Sequence, residues 1–123
     1  MNPRDVEHQH SRKDFKYVII DTDPGGDDCQ ALVTLFHMCK KYKKTLLGIT
    51  VINGNAMIKD VTKNALITQA ICNEKYPIYA GNDNSMNGEN QKDFYFGKDG
   101  LGERQQMYIN KLGDKIDESL IQK

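Results

Sequence analysis

Three apolar stretches without helical period stand apart along the chain, and polar breakers follow each one. They are "KYVIID" (Lys16 to Asp21), "TLLGITVI" (Thr45 to Ile52) and "YPIYAG" (Tyr76 to Gly81). Short β-branched and aromatic runs of this kind predict buried strands. Between the first two, Ala31, Leu32, Leu35, Phe36 and Cys39 recur at helical spacing and predict an amphipathic helix ending near "KKYKK". Those lysines suit the negative end of a helix dipole. Ile58, Val61, Ala65 and Leu66 share one face of a second predicted helix, from about Met57 to Asn73. Alternation of strand and helix at this spacing predicts right-handed βαβ units, and so an α/β fold with an open, mostly parallel sheet and flanking helices. From Asn82 to Gly102 the chain turns polar and glycine-rich, a long connection of the sort that often carries function. A weaker helical pattern begins at "ERQQMYINKL".

Composition narrows the class. A chain of 123 residues reads as one domain, with residues 1–15 forming a polar, mobile tail and residues 16–123 the folded part. Lys+Arg and Asp+Glu balance at 17 each, so no global field recruits nucleic acid or an anionic membrane. No apolar run approaches the roughly 20 residues a membrane span needs, and the N-terminus lacks the apolar core of a secretory signal. Cys29, Cys39 and Cys72 are odd in number and have no metal-like spacing, which predicts reduced, mostly buried thiols and a cytoplasmic protein. His8 and His10 fall in the tail, and His37 falls mid-helix.

The chemistry collects after the strands. Four aspartates crowd into "DTDPGGDD", at positions 21, 23, 27 and 28, directly behind the first strand. Asn53 and Asn55 follow the second strand, and Asn82 and Asp83 the third. Ligands of parallel α/β sheets bind outside the carboxyl ends of the strands, so the three clusters should converge on one edge. Carboxylate and amide oxygens are hard donors that suit Ca²⁺ or Mg²⁺ better than zinc. A helix cap would explain one aspartate, at about 1 kcal/mol, and leave three unexplained. An EF-hand loop starting at Asp21 would place its glycine at Gly26, but Leu32 stands at its twelfth position and a strand precedes it. A haloacid dehalogenase-like phosphatase motif matches Asp21, Thr22 and Asp23, with Gly25 where threonine or valine belongs; it stays as an alternative.

"VIIDTDPGGDDCQAL" strongly resembles the D-x-D-P-G-x-D-D signature of the inosine-uridine preferring nucleoside hydrolase family. "LLGITVINGN" is similar to the family's second strand and its V-x-G-N-type loop, and "YPIYAG" with "YFGKDGLG" to its third strand and H-G-x-D-G-L-G-type segment. "ESLIQK" resembles the lead-in to the family's next helix. The resemblance runs from Tyr17 onward and implies the N-terminal portion of a nucleoside hydrolase-like α/β domain. It implies Ca²⁺-dependent cleavage of the N-glycosidic bond of ribonucleosides to ribose and free base, with the ribonucleoside as partner. It further implies that Asp23 and Asp28 are metal ligands and that Asp23 is the general base for the attacking water. Asp27 would bind the ribose 2′-hydroxyl, Asp28 also the 3′-hydroxyl, Asn55 would organise the ribose pocket, and Asp21 would support the site.

Two departures from the family pattern qualify these expectations. Phe96, preceded by Tyr95, stands where a histidine is often found. The family's later half supplies further metal ligands, a ribose 5′-hydroxyl cradle and a histidine that protonates the leaving base, and no histidine follows His37 here. Little or no catalysis is therefore expected from these residues alone. A half-sheet should also bare a strand edge and an apolar face, which implies a homo-oligomer or a complementing chain. The alternative from a different class is a non-catalytic hydrolase-like subunit of a larger complex.

Overall fold

A computed structural model describes residues 15–84, 86–88 and 92–122. The expected tail, with His8 and His10, lies outside the described residues apart from Phe15. Strand β1 (Tyr17–Thr22) leads into helix α1 (Gly26–Lys41), strand β2 (Thr45–Val51), helix α2 (Ile58–Cys72) and strand β3 (Ile78–Ala80). Helix α3 (Gln105–Leu112) follows, then two 3₁₀ turns (Gly113–Lys115 and Glu118–Leu120) and a short strand β4 (Ile121–Gln122). The sheet order is β1-β2-β3-β4, and every pair is parallel. The α/β fold with an open parallel sheet is thus as the alternation of patterns predicts.

The register explains where the core lies. Ile20 pairs with Ile49, Thr22 with Val51, and Ile49 with Ile78, so one face of the sheet carries an aliphatic row. Leu32, Phe36 and Cys39 of α1 and Val61, Ala65 and Leu66 of α2 pack on that row and are buried with it. Consecutive right-handed crossovers that step in one direction put their helices on the same face. Among the described residues the other face is left open. Tyr17, Ile19, Leu47 and Tyr79 project from it, between 48% and 64% exposed. A bulge between Val18 and Ile19 keeps the alternation in phase while passing Leu47 to that outer face.

One expectation changes, and one segment gains detail. Ala31 is exposed, because the buried stripe of α1 runs through Leu32, Phe36 and Cys39 and leaves it to one side. Within "ESLIQK" the described residues form a 3₁₀ turn and a short strand. Asp117 caps the 3₁₀ turn by accepting from the Ser119 amide at 3.0 Å, and Ile121 and Gln122 then pair with Ile78 and Tyr79 as β4. The three thiols are free, Cys39 buried and the others half-buried, and burial pushes each above the ordinary thiol range. Among the described residues no helix is long and apolar enough to cross a membrane.

Candidate functional site

The parallel topology delivers the loops after β1, β2 and β3 to one end of the sheet, and hydrogen bonds tie them there. In the first loop, Asp28 stands on the opening turn of α1 and folds back toward the strand. Its Oδ2 accepts from the Thr22 hydroxyl at 2.7 Å and from the Asp23 amide at 3.1 Å. The helix is capped by Gly25 with no side-chain hydrogen bond. Capping therefore accounts for none of the four aspartates, although Asp27 and Asp28 both favour the positive end of the helix.

Asn55, in the second loop, reaches across to Asp23 twice. Its backbone amide donates to Asp23 Oδ2 at 2.9 Å, and its side-chain amide donates to the Asp23 carbonyl at 2.8 Å. The chain must come very close for this: a Cβ on Gly54 would lie 2.2 Å from Asp23 Oδ2. Asn53 donates through its side chain to the carbonyl of Asp83, which brings in the loop after β3. The convergence expected from a parallel sheet is present at atomic detail.

Asp23 and Asp28 are joined through the Asp23 backbone amide, which donates to Asp28 Oδ2, and the two side chains lie in one cleft. Burial raises the Asp23 pKa above the usual carboxylate range; the Asp28 carboxyl and its charge add to this, and the bond from Asn55 opposes it. A cleft of about 300 Å³ along the edge of β1 is lined by Asp21, Thr22, Asp23 and Asp28 on its polar side. Asp21 accepts from the Thr50 hydroxyl at 2.7 Å, anchored to β2 on the outer sheet face. Asp27 is exposed on the first turn of α1, outside the Asp23–Asp28 contact. Asp23 and Asp28 are hard oxygen donors whose mutual repulsion a divalent cation would relieve, and in chemistry they fit one. Among the described residues no cluster of three or more His, Cys, Asp or Glu completes such a site.

The later part of the connection after β3 packs on the first loop. Phe96 lies against the Gly25–Gly26 turn, where a Cβ on either glycine would meet its ring at 3.0 and 3.2 Å. Tyr95 stacks edge-on against Phe96, at 4.9 Å between ring centres. Phe96 lines a second, apolar cleft with Cys29, Ile67 and Leu101, on the other side of the loop from the carboxylates. Asp99 organises the turn: Oδ1 accepts from the amides of Leu101 and Glu103, and Oδ2 from that of Gln105. Sequence reading missed Asn64, which is fully buried on α2 and bridges this turn to the first loop. Its only sequence signal is an amide on the apolar side of a helix, between Val61 and Ala65.

The comparisons with known proteins agree with this arrangement. The family model for inosine-uridine preferring nucleoside hydrolase matches residues 18–121. Uridine nucleosidase 1 of Arabidopsis thaliana is 36% identical over 89 residues, covering 70% of this chain and 26% of that protein. A probable uridine nucleosidase 1 of Oryza sativa subsp. japonica is 34% identical over 88 residues, covering 69% and 26%. Among solved structures, an inosine-guanosine nucleoside hydrolase superimposes with a TM-score of 0.63 at 28% identity, covering 72% of this chain and 27% of that one. The chain thus spans about a quarter of the length of the relatives it matches. With the parallel sheet, the converging loops and a match along nearly all of the described residues, the chain belongs to the inosine-uridine preferring nucleoside hydrolase family.

Proposed function

We propose that this chain carries the metal and ribose side of a ribonucleoside N-glycosidase site. The observation that supports it best is the placing of Asp23 and Asp28 in one cleft, Asp28 fixed by Thr22 and the Asp23 amide and Asp23 by the Asn55 amide. In this reading Asp23 and Asp28 hold Ca²⁺, which when bound screens the two carboxylates and acidifies water. Asp23 takes the proton of the attacking water, a role that needs only hydrogen-bond reach. Asp27, exposed beside them, accepts from the ribose 2′-hydroxyl, and Asp28 also meets the 3′-hydroxyl. Asn55 keeps Asp23 aimed, and Asp21 supports the loop through Thr50. Departure of the base leaves positive charge on the sugar, and clustered carboxylates stabilise that charge.

These residues supply no acid for the leaving base. His37 sits nine residues beyond Asp28 on α1, about 13 Å along the axis at 1.5 Å per residue. Little turnover is therefore expected from this chain by itself, and ordinary turnover in a ribose-release assay with Ca²⁺ would overturn that. The metal reading has its own test: Ca²⁺ should raise the melting temperature, and Asp28→Ala should abolish the rise. An unchanged melting temperature at millimolar Ca²⁺ would count against it.

The open sheet face favours a second reading, a hydrolase-like subunit that assembles through that face with another copy or a complementing chain. A stable partner seated on the face, with no response to metal, would favour it over the first. Family membership displaces the phosphatase alternative, which needs Asp21 as a nucleophile. Three unpaired thiols accord with a cytoplasmic setting.

A further inference from the structure

Two consecutive carbonyls of the aspartate loop are each held by a side-chain amide from a different element. Asn55 holds the carbonyl of Asp23, and Asn64 holds the carbonyl of Pro24 at 2.9 Å. The same Asn64 amide donates its second proton to the carbonyl of Asp99 at 2.7 Å. Its oxygen accepts from Gln105 Nε2 at 2.8 Å, and Gln105 also donates to the Asp60 carbonyl at 3.1 Å. An amide with both protons and its oxygen engaged has one orientation, and a fully buried one has no water to replace a lost partner. Gly100 leaves room for it: a Cβ there would lie 2.9 Å from Asn64 Nδ2, and its φ of +77° suits glycine.

We infer that Asn64 is a positioning residue for Asp23, clamping the Asp23–Pro24 backbone to the 97–102 turn so that the carboxylate meets the Asn55 amide and Asp28. Gln105 sets the clamp by fixing which way the Asn64 amide faces. The inference rests on the proposed role of Asp23 only for its bearing on catalysis; the mechanical coupling stands on the hydrogen bonds. It also ties the 97–102 turn to the geometry of the carboxylates.

The Asn55 backbone amide reports the coupling, because its proton is bonded to Asp23 Oδ2. Its hydrogen exchange should be measured by NMR in the metal-free chain, next to that of core amides that report global opening. Asn64→Asp keeps the shape but has no protons to donate to either carbonyl. It should speed exchange at Asn55 at least tenfold beyond the change at core amides. Leu66→Ala, a core truncation on the same helix, should change exchange at Asn55 and at the core alike. Gln105→Ala keeps Asn64 and alters only a half-buried side chain, so it serves if Asn64→Asp does not fold; it should give a smaller selective increase. Exchange at Asn55 that follows the core in both variants would overturn the positioning role. Adding Ca²⁺ to the wild-type chain separates the two ideas: no shift at Asp23 or Asp28 counts against the metal reading, while the exchange data still decide the clamp.

Discussion

At the scale of single residues, the site balances a repulsion against a set of anchors. Asp23 is held beside Asp28 with its carboxyl pKa raised, so its charged form is disfavoured by folding. Asp23→Asn removes one charge from the contact and keeps an oxygen for the Asn55 amide. It should therefore raise the stability of the metal-free chain in urea at pH 7 and abolish any Ca²⁺ response. Asp28→Asn should gain less, because Asp28 lies in the first turn of α1, where its charge against the helix dipole contributes about 0.3–1 kcal/mol. Equal gains from the two substitutions would contradict this asymmetry. Gly54→Ala acts on the anchors instead. Its Cβ would stand 2.2 Å from Asp23 Oδ2, so the carboxylate must swing away and give up the Asn55 amide. A cost of about 1–3 kcal/mol is expected from the clash and the lost bond, measured by urea unfolding.

At the scale of elements, legibility in the sequence followed the period of the pattern. β1, β2, α1 and α2 are long enough for apolar residues to repeat several times, and their ends fall within a few residues of the sequence reading. β4 has two residues, Ile121 and Gln122, too few to show a period, and its existence depends on the edge offered by β3. The aspartate loop was legible because like charges at such spacing need a reason. Asn64 was not, because the partners that make a buried amide tolerable, Pro24 and Asp99, lie 40 and 35 residues away. The segment before β4 is also tied by an ion pair, in which Lys63 of α2 meets Glu118. The hydrogen bond and charge of Lys63 hold the Glu118 carboxyl below its ordinary range. A depressed folded pKa gives stability that is present above the unfolded value, near 4.5, and lost as pH falls through the folded one. Glu118→Gln should therefore flatten the acid side of the stability profile and leave the neutral-to-basic side parallel to wild type. The effect should be small, as the carboxylate is at the surface.

At the scale of the whole molecule, the two sheet faces are unequal. The helix-covered face holds the core, while the other presents Tyr17, Ile19, Leu47 and Tyr79 beside the edge of β1, which has no second strand neighbour among the described residues. An apolar face next to an open strand edge is a template for association, through burial of side chains and through main-chain pairing. The formal net charge of zero supplies no long-range repulsion to oppose it. The chain should therefore self-associate as its concentration rises, seen as an increase in weight-average mass by sedimentation. Ile19→Lys places a charge on the open face, on the edge strand itself. Since Ile19 is 64% exposed, the core should barely register the change, with unfolding free energy kept within about 0.5 kcal/mol. Association should fall sharply. Ile20→Lys, one residue along and 8% exposed on the other face, should unfold the protein instead. Mass that rises with concentration in Ile19→Lys as it does in wild type would mean that the open face does not drive association.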